Sequence, residues 1–246
     1  MERYEEIERS LIKTYRKGIW RRFIKCINEY RMMNEGDKIA VCISGGAQSF
    51  VMAKCAQEIQ RHGVFKFDLR FITCGSVLGK EELEKIADNA RLLNIPLEIF
   101  DAEGDITDCL LEKAASLGCN KIALGNNFDD TVEAILENML MGGKISTLMP
   151  KEKRGGIEII RPLGNVKQKD IMAWTRFNNL SFTEKQDKNT EIRELISHLR
   201  KTSPYIEKNI LSSVKDVNLT TVIAYSGHGK SYNFLDDYDE RGNINA

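Results

Sequence analysis

The chain has 246 residues, 42% of them hydrophobic, with Lys+Arg and Asp+Glu both at 36 and a formal net charge of zero. That length accommodates one full α/β core with appendages, and the charge balance excludes a global field directed at nucleic acid, leaving only local patches. No apolar run approaches the roughly 20 residues of a membrane span, and Met1-Glu2-Arg3-Tyr4-Glu5-Glu6 opens without an apolar leader core. A cytoplasmic protein with no membrane partner is expected.

Residues 3–31 read as one long helix within an N-terminal unit spanning 1–36. Ile7, Leu11, Tyr15, Ile19, Phe23, Ile27 and Tyr30 recur every three or four positions as an apolar stripe. Its first turns are acidic (Glu2, Glu5, Glu6, Glu8) and its later turns basic (Lys13, Arg16, Lys17, Arg21, Arg22, Lys25). That order complements the helix dipole. The same cations beside Trp20 also suit an RNA backbone, and both readings stay open.

Lys38 to Cys42 is a short β-branched run that continues through Ile43 into Ser44-Gly45-Gly46-Ala47-Gln48-Ser49, after which helical apolar spacing begins. Strand, glycine turn and helix N-terminus together make an anion site, because free N–H groups and the helix dipole converge there. Adjacent glycines leave room for a phosphate to meet the backbone, and Ser44 and Ser49 add hydroxyls. A plain βα turn would have the same local pattern, and no Walker A Gly-Lys-Ser/Thr follows.

Helices are then predicted at 49–62, 81–93, 107–117 and 129–140, alternating with strands at 67–73, 97–100 and 121–125. This alternation predicts a doubly wound, mostly parallel α/β sheet with helices on both faces, its ligand edge at the carboxyl ends of the strands. Ser44-Gly45-Gly46, Thr73-Cys74-Gly75 and Gly125-Asn126-Asn127 should surround one cleft there. In Asn126-Asn127-Phe128-Asp129-Asp130, the polar residues cap the next helix, or Asp129 and Asp130 act as Mg²⁺ ligands near phosphates. Lys144, after Gly142-Gly143, and Arg161, before Pro162-Leu163, are candidate phosphate contacts, although isolated surface cations are commonly just solvated.

A strand at 157–160 and a helix at about 167–178 complete a nucleotide-binding unit at 37–180. Helices at 191–201 and 205–214 form a C-terminal extension, 181–225, and the polar stretch 226–246 predicts a disordered tail. The six cysteines contain no C-x-x-C pair and sit mostly in apolar runs, which predicts buried free thiols; His62, His198 and His228 are scattered and receive no catalytic role.

The string Ser-Gly-Gly-x-x-Ser resembles the loop of PP-loop ATPases of the adenine-nucleotide α-hydrolase type. With Lys121-Ile122-Ala123-Leu124-Gly125, Asp129-Asp130, Gly142-Gly143-Lys144 and Arg161-Pro162-Leu163 in order, the chain resembles their tRNA 2-thiocytidine synthetase branch over about residues 12–215. The resemblance implies ATP and Mg²⁺ as cofactors, tRNA as partner, and adenylation of a tRNA cytidine followed by thiolation. It implies nucleotide contacts at Cys42, Ile43, Ser44, Gly45, Gly46, Gln48, Ser49, Thr73 and Gly125, catalytic roles for Asp129, Asp130, Lys144 and Arg161, and metal binding by Asp129 and Asp130.

Several positions depart from the branch. Gln48 replaces the usual aspartate, Asn126 and Asn127 replace a histidine pair, and the cysteines that hold the branch's [4Fe-4S] cluster are missing before Ala114 and near Phe182. No such cluster is therefore expected. Two alternatives accompany the thiolation reading: a catalytically degenerate PP-loop pseudoenzyme that binds a nucleotide or partner, and an enzyme adenylating a small amide or acid.

Overall fold

A computed structural model describes residues 2–183, 190–227 and 229–238. His228, the segment 184–189 and the end of the predicted tail, 239–246, lie outside the described residues. Six strands, β1 (Lys38–Cys42), β2 (Asp68–Cys74), β3 (Leu97–Phe100), β4 (Lys121–Ala123), β5 (Lys151–Arg154) and β6 (Ile157–Ile160), form one sheet in the order β3-β2-β1-β4-β6-β5. All neighbours pair in parallel except β5, which runs antiparallel to β6 with Lys151 opposite Ile160. Polar Lys151-Glu152-Lys153-Arg154 carries no apolar alternation and escapes sequence reading; its exposed, charged side chains suit an edge strand.

Two helices, α1 (Arg3–Ile12) and α2 (Arg21–Tyr30), precede the sheet, and seven follow in the described chain: α3 (Ala47–His62), α4 (Lys80–Leu92), α5 (Ile106–Ser116), α6 (Phe128–Leu140), α7 (Gln168–Phe177), α8 (Thr190–Thr202) and α9 (Ile206–Lys215). Strand β1 shows why both faces must be covered. Ile39 and Val41 enter a core shared with Phe23, Phe50, Met52 and Trp174, whereas Ala40 and Cys42 enter a second core with Leu111 and Ala114 of α5. Period-two alternation sends successive residues to opposite faces, so one apolar strand serves two layers. A third cluster joins Phe128, Val132 and Leu136 of α6 to Ile192 and Ile196 of α8.

The predicted single helix over 3–31 is interrupted. A π-helical segment, Arg16–Trp20, separates α1 from α2, with Tyr15 N–H reaching back to Ser10 O at 2.8 Å. The wider turn presses Gly18 against α7, where a Cβ would meet Asp170 Cγ at 2.9 Å, and the Tyr15 hydroxyl donates to Ala173 O at 2.9 Å. Trp174 is fully buried behind this contact, donating its indole N–H to Ser10 Oγ at 3.0 Å.

The tail also differs from expectation. Strands β7 (Ala224–Gly227) and β8 (Lys230–Asn233) form an antiparallel hairpin with Tyr225 stacked on Tyr232, centroids 4.8 Å apart, where disorder is predicted from residue 226. Cross-strand aromatic pairing of this kind supports a short ribbon that composition alone does not reveal. No helix among the described residues is long and apolar enough to cross a membrane.

Candidate active site

Strand β1 leads through α3 to β2 on one side, while β4 lies on its other side. The sheet's connectivity reverses between β1 and β4, and a crevice opens at such a point beyond the strand ends. Three helices begin there. The N-terminus of α3 contributes Ala47 and Gln48, that of α6 Asp129 and Asp130, and that of α7 Gln168, all lining one cleft of about 610 Å³. Helix N-termini carry positive dipole ends, and the start of α3, which has no side-chain cap, also offers unpaired N–H groups, so that end of the cleft favours an anion.

Gly45 takes φ +88°, a conformation that glycine adopts freely, and Gly46 is the N-cap of α3. The turn is not bare, however. A Cβ at Gly45 would lie 2.9 Å from Ile86 Cδ1 and 3.2 Å from Thr183 Oγ1, and Thr183 N–H donates to Gly45 O at 3.1 Å. Phe182 stacks on Phe50 with centroids 4.8 Å apart, which holds residues 181–183 over the loop. The space freed by Gly45 thus serves packing, while the first turn of α3 faces the cleft. Ser44 is exposed; Ser49 is buried, its hydroxyl donating to Gly46 O at 2.8 Å. At Gly125 the end of β4 passes so close to α3 that a Cβ would stand 3.3 Å from Ser49 N.

Asn127 organises the second wall. Its Oδ1 accepts from Asp129 N–H at 2.8 Å and Asp130 N–H at 3.1 Å, while Asp130 Oδ2 accepts from Asn127 N–H at 2.8 Å, a reciprocal cap. Its Nδ2 donates to Gln168 Oε1 at 2.7 Å, and Gln48 Nε2 donates to the same oxygen at 3.1 Å. Gln168 thereby links the starts of α3 and α6. Its own N–H, in the first turn of α7, donates to Asp129 Oδ2 at 2.7 Å.

Asp129 also meets the C-terminal helices. Arg200 Nη2 lies 3.2 Å from Asp129 Oδ1 and 2.6 Å from Glu207 Oε1, and Lys167 Nζ donates to Glu207 Oε2 at 2.9 Å. Burial pushes the Asp129 carboxyl above its ordinary value; the Gln168 N–H opposes this, and Glu207 reinforces it. Burial also pushes Glu207 upward, yet its bonds from Arg200 and Lys167 outweigh that and hold it low. Burial raises Glu133 as well, against the pull of Arg193, whose Nε donates to it at 2.9 Å.

Gln48, Asp129 and Asp130 line the cleft, whereas Gly45, Gly46, Ser49 and Gly125 pack at or beneath the start of α3 outside its lining, with Ser44 exposed beside them. Cys42 and Ile43 are buried at the strand end, leaving only their backbone near the turn. Thr73 is buried on β2, one residue past the Cys42–Ile72 pairing, and does not line the cleft. Lys144 is exposed on the turn after α6, outside the lining. Arg161 is buried and committed elsewhere: Nη1 donates to Met149 O at 2.6 Å and Nη2 to Glu152 Oε1 at 2.7 Å, fastening β5 to β6. Its position beside Pro162 resembles a phosphate contact in sequence, but the guanidinium is used by the edge strand. Sequence reasoning missed Gln168, Arg200 and Glu207. Gln168 was findable as the residue opening a predicted helix; Arg200 and Glu207 carry no local signal.

Asp129 and Asp130 fit Mg²⁺, which takes one or two carboxylates and completes its shell with phosphate oxygens and water. A [4Fe-4S] cluster needs several converging thiolates. All six cysteines are free and buried, with burial pushing Cys26 up to about 11 and raising Cys42, Cys55 and Cys119. Among the described residues no three His, Cys, Asp or Glu side chains gather as a metal-binding group. The thiols present do not fit that cluster.

Comparison with known proteins shows relatives of similar sequence and fold. The tRNA-cytidine(32) 2-sulfurtransferase of Nitrosospira multiformis is 26% identical over 235 residues, covering 82% of this chain and 79% of the relative. That of Coxiella burnetii (strain RSA 331) is 28% identical over 226 residues, covering 78% and 87%. Among solved structures, the U34-tRNA thiolase NcsA from Methanococcus maripaludis with its [4Fe-4S] cluster superimposes with a TM-score of 0.63 at 15% identity, covering 79% of this chain and 76% of that one, a likeness of fold. The model of the PP-loop domain matches residues 16–202, most of the chain, and with the switch-point cleft in place the chain belongs to the PP-loop domain family.

Proposed function

We propose that the chain is an ATP-dependent tRNA-thiolating enzyme that adenylates the C2 carbonyl oxygen of a tRNA cytidine. Residues 37–180 form its nucleotide-binding unit, and 181–225 supply the wall that carries Arg193, Arg200 and Glu207. The observation that carries the reading is the convergence of three helix N-termini and the Asp129–Asp130 pair on one cleft, in a chain whose relatives carry the name tRNA-cytidine 2-sulfurtransferase.

A carbonyl oxygen leaves poorly. Its attack on the α-phosphorus of ATP forms an O–P bond and breaks the bond to pyrophosphate, and the resulting phosphate ester leaves readily. Hydrosulfide from a donor then adds to C2, the C2–O bond breaks so that AMP departs carrying that oxygen, and loss of the S–H proton leaves the 2-thiocarbonyl. The N–H groups of Ala47 and Gln48 stabilise charge on the departing pyrophosphate. Gln168 N–H and Arg200 hold Asp129 in place on the cleft wall. Mg²⁺ bound by Asp129 and Asp130 would neutralise phosphate oxygens. No step runs through an iron–sulfur cluster. The free thiols are consistent with the reducing cytoplasm as the site of action.

Calorimetric titration with ATP and Mg²⁺, followed by a pyrophosphate-release assay with and without bulk tRNA, tests the reading. Release stimulated by tRNA is expected. ATP binding with no tRNA-stimulated release would overturn it, and release stimulated only by a small amide or acid would point to another branch of PP-loop chemistry.

A further inference from the structure

We infer that the outer face of the N-terminal helical segment, Lys13, Arg16, Lys17, Arg21 and Lys25, is a docking surface for the phosphodiester backbone of a folded RNA, placed beside the cleft by α7. The inference rests on the proposed RNA-directed reaction and adds to it a location and a set of residues.

Charge distribution is the first observation. In a chain of zero net charge, the stretch from Ser10 to Asn28 contains no carboxylate at all, while Lys13, Arg16, Lys17, Arg21, Arg22 and Lys25 fall within it. A helix dipole favours cations in the last turn; here Arg21 and Arg22 open α2 and Lys25 lies at its middle, where that effect gives them no role. All but Arg22 are exposed, and Arg22 alone approaches a carboxylate, Asp170 at 3.7 Å. Among the described residues Lys13, Arg16, Lys17, Arg21 and Lys25 form no ion pair. Arg21 and Lys25 stand about 6 Å apart along the axis of α2, and Lys17 and Lys13 continue the four-residue spacing back through the π-helical segment, so the cations form a ladder of separate charges. Such a row attracts a polyanion and releases its counterions.

Position is the second observation. Gly18 and Tyr15 press the π-helical segment onto Asp170 and Ala173 of α7, and Tyr15 meets Phe177 edge-on with centroids 5.7 Å apart. The other side of α7 lines the cleft with Gln168, Met172, Thr175 and Arg176. One helix, about 10 Å across, therefore separates the N-terminal segment from the cleft, and the cationic ladder runs along that segment's far side. Phe177 is 57% exposed at this ridge and offers an aromatic face on which an unstacked base can lie. Trp20, half-buried between the two basic runs, adds a second aromatic surface.

The test uses the full chain and fluorescently labelled bulk tRNA, with affinity measured across a salt series. The triple variant Lys13→Gln/Lys17→Gln/Arg21→Gln is expected to bind tRNA at least 10-fold more weakly and to lose about 2 to 3 from the slope of log K against log salt. The matching variant Lys13→Arg/Lys17→Arg, which keeps the charge, is expected to bind as the wild type does. ATP affinity is expected to stay unchanged in both, since none of these residues lines the cleft. Wild-type affinity and slope in the Gln variant would overturn the surface while leaving the proposed reaction standing. Pyrophosphate release unresponsive to tRNA, with the Gln variant still losing tRNA binding, would overturn the reaction and leave the surface standing. Capture by phosphatidylserine vesicles in place of tRNA, lost in the Gln variant, would reassign the face to a membrane and overturn the inference.

Discussion

Replacing Asn127 with alanine should loosen the acidic wall of the cleft and destabilise the protein measurably. The side chain is 1% exposed and makes three bonds: its carbonyl caps the N–H groups of Asp129 and Asp130, and its amide holds Gln168. Loss of an N-cap costs about 1 kcal/mol. Loss of the amide leaves Gln168 Oε1 with Gln48 alone and adds about 1 kcal/mol, so the total is about 2 to 3 kcal/mol once the small void is included. Asn127→Ser separates the two parts, because a serine hydroxyl still caps but does not reach Gln168; it should cost about half as much. Urea unfolding monitored by tryptophan fluorescence measures both, with a lowered midpoint and an unchanged slope. The same variants should weaken Mg²⁺-dependent ATP binding in the same order, since Asp129 and Asp130 lose their shared anchor. An alanine variant within about 0.5 kcal/mol of wild type, or a serine variant as damaged as the alanine, would refute this account of Asn127.

Gln48→Asp adds a carboxylate facing the Asp129–Asp130 pair and should tighten Mg²⁺-dependent ATP binding by about 10-fold in a calorimetric titration, because a hard anionic oxygen suits the ion better than an amide; an unchanged Mg²⁺ titration would remove this position from the metal site. Glu207→Gln frees Arg200 to pair more fully with Asp129, so Mg²⁺ should be needed at several-fold higher concentration for half-maximal ATP binding, with Glu207→Asp partly restoring the wild-type value. Lys54 is buried on α3, its ammonium donating to Leu93 O at 2.9 Å and lying 3.5 Å from Glu8, and burial pushes it down from 10.5 to about 8 despite the opposing charge of Glu58. Between those values the unfolded chain binds the extra proton, so this residue makes stability rise with pH across that window and costs most below pH 8. Buried thiols pull the other way, so the effect is read as the wild-type minus Lys54→Met difference in urea unfolding free energy, which should shift toward wild type by up to about 3 kcal/mol from pH 8 to 10.5. A flat difference would show that the ammonium is solvated in the folded protein.

Local pattern was sufficient for most of the scaffold. The strands at 38–42, 97–100 and 157–160 and the helices between them follow from apolar runs and helical periodicity, and the parallel arrangement follows from their alternation, because a crossover helix can pack only on a sheet face. The glycine turn and the Asp129–Asp130 doublet were visible because both sit at strand-to-helix junctions, where composition and geometry are tied over a few residues. Long-range packing decided the rest. Arg161 reads as a phosphate contact until β5 folds back and offers it Glu152 and Met149, and β5 itself is stabilised by its pairing rather than by its own residues. The helix over 3–31 gains its π turn from the fit of Gly18 against α7, some 150 positions away in the chain. Arg200 and Glu207 look like ordinary residues of amphipathic helices, and only docking of α8 and α9 onto α6 brings them to Asp129. A side chain's role follows from sequence when its partner is a few residues distant; when chain closure supplies the partner, the role belongs to the fold.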